Sequence, residues 1–332
     1  MASDTRSIFF RAFPSIRAAA ALACLCLAGL PAWSQDWPQG PVRLVVPFDA
    51  GSTPDLAARA IGERLAARLH QPFVVENKSG AAGNIGTDAI AKASPDGRTI
   101  GVSIAGPLGV NALLFKKLPY DPARDLAPIT IAVSQPSVLV VGKKLESADA
   151  RALASTMKGA KLTFASIGAG SISHLGMAAL AAQGGADAVH IPYRGSGAAV
   201  TALLSGEVDM ALLPAAAVMP HVKAGKLWAL AVASPTRSPS LPHVPTLAES
   251  GLPAIKADAW IAFVAPARTP DAVLKTLQSQ IAQILAEPAM VERFRAQYMD
   301  PAGGSPEDMR KQLGADIARW KPVIEANRIA LD

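Results

Sequence analysis

The feature that most restricts the fold of this chain is a rhythm. Short β-branched runs alternate with Ala/Leu-rich stretches several helical turns long, through most of its 332 residues. Residues 42–46, Val-Arg-Leu-Val-Val, read as a buried strand, and 54–69 as the helix after it, with Ser52 or Thr53 as N-cap and Pro54 in the first turn. A second strand is expected over 73–76, a helix over 84–93 and a third strand over 99–104. Such repetition calls for parallel sheets covered by helices. Half of the residues are hydrophobic but only 5% are aromatic, so Ala, Leu, Val and Ile must make the core. That balance excludes disorder.

The pattern restarts after an apolar stretch at 129–141. Strands are expected at 162–166, 189–192, 210–213 and 227–233, with helices at 173–183 and 197–205. A Pro/Ser-rich loop at 234–245 breaks the rhythm, 260–264 reads as a returning strand, and 271–327 reads as almost wholly helical. Two similar α/β halves with two crossovers predict a hinged clamshell with the tail on the first lobe. The expected boundaries are 35–136 with 259–332 for the first lobe and 137–258 for the second. In open α/β sheets ligands bind at the carboxyl ends of the strands.

Residues 1–34 read as a cleaved export signal: Arg6, Arg11 and Arg17, an apolar run at 18–30, then Ala32 and Ser34 in the small positions of a cleavage site. The run is shorter than a membrane span requires. Cys24 and Cys26, the two cysteines of the chain, both fall inside it. Lipid attachment at Cys24 is disfavoured by the Ala21-Leu22-Ala23 approach. Loss of the leader, which also holds Asp4, lowers the net charge of +6 by two. The remaining cations are interleaved with acids rather than gathered in a stripe, so no nucleic-acid partner is expected.

Enzyme signatures are missing. There is no H-E-x-x-H, G-x-S-x-G or P-loop pattern, and the five histidines show no metal-ligand spacing. No cofactor is expected. The glycines at 80, 83 and 86 follow a strand and open a helix, but their spacing differs from the dinucleotide fingerprint and suits a tight turn. A hydrolase using Ser171 or Ser173 with His174 is disfavoured, because adjacent residues at a helix start do not face one another. Three small, polar strand-to-helix turns stand out instead: 48–55 (Phe-Asp-Ala-Gly-Ser-Thr-Pro-Asp), 166–174 (Ser-Ile-Gly-Ala-Gly-Ser-Ile-Ser-His) and 193–197 (Tyr-Arg-Gly-Ser-Gly). Each sets free N–H groups and a hydroxyl at a helix N-terminus, where an anion is favoured. Each such terminus contributes about 0.3–2 kcal/mol and each charge-assisted hydrogen bond about 1.5–3 kcal/mol, so a few around one carboxylate suffice for micromolar binding.

At these turns the sequence resembles the Bug family (Bordetella uptake gene products, or TctC-type receptors). The resemblance runs from Trp37-Pro38 to the end. It includes Val42-Arg43-Leu44-Val45-Val46-Pro47-Phe48, Val74-Val75-Glu76-Asn77-Lys78, Gly83-Asn84-Ile85-Gly86 and Val189-His190-Ile191-Pro192-Tyr193-Arg194-Gly195. It implies a two-lobed Venus-flytrap receptor, exported to the periplasm and monomeric, that closes on a small organic acid or amide and works with membrane subunits of a tripartite tricarboxylate transporter. Use of the same closure to signal to a membrane histidine kinase is the alternative.

By that resemblance Phe48, Asp49, Ala50, Ser52, Thr53 and Asp55 grip the ligand from the first lobe, lined also by Ala105 and Gly106. The second lobe supplies Ser166, Gly168, Gly170, Ser171 and His174, with Tyr193 and Arg194 nearby. Two departures bear on the ligand. Asp49 and Ser52 stand where the family has proline and glycine, and Leu213 stands where it often has an aspartate. Loss of that acid is expected to make room for an apolar body, favouring a monocarboxylate, an aromatic acid or an amide over a tricarboxylate.

Overall fold

In the computed structural model, which describes residues 37–145 and 150–331, the α/β rhythm resolves into two mixed sheets. The expected leader, with Cys24, lies outside the described residues. The chain divides at Trp37, and both sheets belong to the unit from Pro38 onward.

In chain order the first part runs β1 (Val42–Val46), α1 (Thr53–Leu69), β2 (Phe73–Asn77), α2 (Asn84–Ala91), β3 (Thr99–Ile104) and β4 (Leu126–Gln135). The second runs β5 (Ser137–Val141), α3 (Ala150–Met157), β6 (Lys161–Ser166), α4 (Ile172–Gly184), β7 (Asp187–Pro192), α5 (Gly195–Ser205), β8 (Met210–Pro214), α6 (Ala215–Lys223) and β9 (Trp228–Val232). The chain then returns as β10 (Ala259–Pro266), α7 (Asp271–Leu285), α8 (Pro288–Arg295), β11 (Asp300–Pro301) and α9 (Pro306–Ala326). The first sheet has the order β11-β4-β10-β3-β1-β2 and the second β7-β6-β8-β5-β9.

The apolar stretch at 129–141 is not one element. Pro136, which has no N–H for a ladder, separates β4 of the first sheet from β5 of the second. The segment between β9 and β10 makes the second crossover. The two crossovers touch where Ser137 Oγ donates to the Ala257 carbonyl at 2.7 Å.

Period-2 alternation explains the layers. Along β5 and β8, Leu139, Val141, Met210 and Leu212 face one core, while Val138, Val140, Ala211 and Leu213 face the other. In the first sheet Val45 belongs to the same cluster as Ile90 of α2, Trp260 of β10 and Met309 of α9, whereas its neighbour Leu44 lies on the α1 side, against Gly62. The tail follows the return strand β10, and its last helix packs on β4 of the first sheet. α7 packs on β4 and α1, and α9 also lays Trp320 and Ile324 into the core formed by Leu175, Leu180, Leu252 and Ile255.

The expected tight turn at 80–86 is present. A Cβ on Gly86 would sit 2.6 Å from Pro47 Cα and from the Lys78 carbonyl, so glycine lets α2 approach the end of β1.

Candidate functional site

Strand direction locates the site. In the first sheet β1–β4 are mutually parallel, and β4 ends at the crossover residue Gln135. In the second, β6–β9 are mutually parallel and antiparallel to β5, which begins at the crossover as Ser137. The carboxyl ends of eight strands therefore point at the junction of the two sheets. The turns after β1, β3, β6 and β7 all lie on that edge.

The turn after β1 is held from beneath. Asp55, 1% exposed, accepts from Gly51 N–H at 2.9 Å, Arg59 Nε at 3.0 Å and Asn77 Nδ2 at 2.9 Å. Asn77 Nδ2 also reaches the Phe48 carbonyl at 2.9 Å. Burial pushes the Asp55 carboxyl up, but Arg59, Gly51 and Asn77 together hold it below the usual range. Asp55 stands among the expected ligand contacts, yet its oxygens are occupied and covered, so its work is to shape the turn. Asp49 and Ala50 are exposed at the tip, and Phe48 is half-buried. Ser52 is the N-cap of α1, and its hydroxyl is buried without a partner. Thr53 donates to Gln135 Oε1 at 2.8 Å. Ala105 and Gly106 follow β3, and Ala105 packs against two of the hydrophobic clusters.

The turn after β6 is more internally bonded than its sequence suggests. Ser166, fully buried, places Oγ 2.7 Å from His190 Nε2 and within 3.1 Å of the Gly168 N–H. Ser171 caps α4: its Oγ accepts from His174 N–H at 3.3 Å and donates to the Gly168 carbonyl at 2.6 Å. Gly170 N–H donates to His174 Nδ1 at 3.0 Å, so the neutral ring carries its proton on Nε2. Gly170 also has φ 73°, and a Cβ there would lie 2.7 Å from Leu114 Cδ1 and 2.9 Å from Leu331 Cδ1. Side chains of Ser166, Ser171 and His174 thus hold the turn at the N-terminus of α4.

After β7, Arg194 is exposed and has no ion-pair partner among the described residues. Tyr193 turns its hydroxyl to Glu207 Oε1 at 2.8 Å, and burial together with that carboxylate pushes the phenol up to about 12. Leu213 does not open the cleft. Its side chain is wholly buried with Val138, Ala165 and Val200, because position 213 alternates onto the α5 face of its sheet.

Sequence alone assigns no site role to three residues here. Asn77 ends β2 in the Val-Val-Glu-Asn run, Gln135 is a lone amide closing an apolar strand, and His190 alternates with apolar neighbours in β7. A cavity of about 520 Å³ adjoins the second-lobe turn, between His174 and His190 on one side and Asn327–Ala330 on the other.

A family model described as "Tripartite tricarboxylate transporter family receptor" (TctC) matches residues 57–329. The chain belongs to the TctC family. Among curated relatives of this TctC-family chain, the Bordetella pertussis protein BugT is 37% identical over 297 residues, 89% of this chain and 91% of BugT. A UPF0065 protein from the tcbD-tcbE intergenic region of Pseudomonas sp. strain P51 is 37% identical over 296 residues, 88% of each chain. Among solved structures, R. palustris Rpa4515 with adipate superposes with a TM-score of 0.82 at 34% identity, covering 89% of this chain and 99% of that one. MatC from Rhodopseudomonas palustris with bound malate gives 0.75 at 30%, covering 87% and 100%.

The two-lobed periplasmic-binding-protein architecture of this TctC chain is therefore shared with receptors. The serines of its α4 turn are not arranged as nucleophiles. Ser171 is committed to the cap, and Ser173 Oγ accepts from Ile167 N–H at 3.1 Å.

Proposed function

We propose that this TctC-family chain is an exported, periplasmic and monomeric solute receptor. It binds a small organic acid, or the corresponding amide, between its lobes and delivers it to the membrane subunits of a tripartite tricarboxylate transporter. The boundaries 35–136 with 259–332 and 137–258 are the proposed halves of the clamshell. One observation carries the reading: eight strands direct their carboxyl ends, and with them the N-termini of α1, α4 and α5, at the junction between the sheets. Such ends favour an anion without any catalytic side chain.

The proposed grip uses Phe48, Ser52 and Thr53 with the strand end at Ala105 and Gly106 on one side. On the other it uses the turn from Ser166 to Ser171 and the free guanidinium of Arg194. Adipate and malate in the relatives' structures support a carboxylate as the recognised group. With Leu213 turned into the core, nothing in that position selects an apolar ligand body, and aliphatic dicarboxylates join the first candidates.

Thermal-shift and calorimetric screening of mono-, di- and tricarboxylates and their amides tests the reading. A ligand present at a hundredfold excess over its Kd adds about 2.7 kcal/mol to stability. Small-angle scattering should show a more compact particle with ligand. If no acid or amide raised the melting temperature, the receptor reading would fall.

A further inference from the structure

β4 ends in Gln135, 1% exposed, at the entrance to the first crossover. Its Oε1 accepts from the Thr53 hydroxyl at 2.8 Å, which sets the direction of the amide. Its Nε2 is shielded from solvent and has no hydrogen-bond partner. The Ser52 hydroxyl, one residue before Thr53, is in the same condition. A buried donor left unpaired costs about 1–3 kcal/mol, and folded proteins keep few of them. Here two are tied to a single threonine, on the edge where the strand ends of the first sheet meet the hinge.

We propose that Gln135 is a ligand-contacting, specificity-determining residue whose amide N–H groups, with the Ser52 hydroxyl, receive an oxygen of the organic acid held between the lobes. The inference rests on the receptor function proposed for this chain and assigns the chemistry of one end of that site. The donors are neutral, and Arg59 of α1 is already committed to Asp55. This wall therefore selects an oxygen acceptor without demanding a negative charge, and the carbonyl of an amide fits it as well as a carboxylate does. Charge recognition is left to the second lobe and Arg194. Because Gln135 sits on the crossover itself, an occupied amide also places ligand contact at the point about which the lobes move.

The test exchanges donor for acceptor in the full chain. Q135E keeps an oxygen for the Thr53 hydroxyl but replaces the free N–H groups with a second oxygen. Calorimetry with adipate and with adipamate, its monoamide, is the readout, and apo melting checks the fold. Wild type should bind adipate. Q135E should lose at least about 100-fold of that affinity, as expected for a lost charge-assisted bond plus repulsion, and should prefer adipamate, whose NH₂ can donate to Glu at this position. S52A should weaken adipate several-fold while apo melting stays at or above the wild-type value, since an orphaned hydroxyl is removed. Equal adipate affinity in wild type and Q135E, with no preference for the amide, would overturn the assignment while leaving the receptor function intact. If wild type bound no acid at all, both would fall. Should Q135E fail to fold, Q135M removes the same donors without adding charge, and retained adipate affinity in it would likewise overturn the assignment.

Discussion

The imidazoles of His174 and His190 lie parallel, with 3.6 Å between centroids and 11° between planes, one from the first turn of α4 and the other from β7. Each also bonds the second-lobe turn, His174 through Gly170 and His190 through Ser166. The pair therefore joins the protonation state of the protein to the shape of the turn.

Burial holds both rings down at about 4, and for His174 the neighbouring His190 adds to it. Unfolded histidine titrates near about 6.5, so between these values the unfolded chain takes up protons that the folded chain refuses. The stabilisation is complete above about pH 6.5 and is lost as pH falls towards 4. Urea midpoints should drop across that window, and less steeply in His190→Gln, which keeps a donor for Ser166. A midpoint as steep in the variant as in wild type would show that His190 does not contribute.

Asp55→Ala should destabilise the protein by about 2–3 kcal/mol, since it leaves Asn77 and the Gly51 N–H without their acceptor. The carboxyl is held below its ordinary value, so its contribution is present above about pH 4 and disappears as pH falls through the folded value. Ligand affinity should fall with stability because Ser52 and Thr53 lose their support. Chemical denaturation and calorimetry on the same preparations check both effects.

Asp258 carries the opposite sign. Burial pushes its carboxyl up to about 6 and Asp316 adds to that, against Ser234, Lys256 and Arg319. The folded state therefore binds a proton more tightly than the unfolded one, and this contribution is full below about pH 4 and lost as pH rises through 6. Asp258→Asn should raise the melting temperature at about pH 8 and leave it unchanged at about pH 4. An equal shift at both values would point to packing rather than titration.

Arg194→Gln should weaken a carboxylate ligand by about 10- to 100-fold, the worth of one charge-assisted bond. The side chain is exposed and without an ion pair among the described residues, so apo stability should stay within about 0.5 kcal/mol. A neutral amide ligand should lose less than the acid. Equal losses for both would place Arg194 outside the charge-recognising wall.

The strands, helices and cleft-edge turns were legible because their signals are local. β-Branched runs, Pro54 after Ser52, and small residues before each helix act over a few positions. Less legible were the roles within the turns. Asp55 reads as a ligand carboxylate until β2 brings Asn77 against it from 22 residues away. Ser166 reads as a ligand hydroxyl until β7 brings His190 from 24 residues away. Leu213 reads as a cleft residue until the pairing of β8 with β5 turns it into the core.

By itself the sequence determined the α/β architecture and the family, since hydrophobic periodicity and turn chemistry are written along the chain. Only the tertiary structure decided which polar groups are satisfied and which are left free. That follows from burial, which is set by strand order and by contacts such as Thr53 with Gln135, 82 residues apart. A polar side chain has no defined partner until water has been excluded from around it.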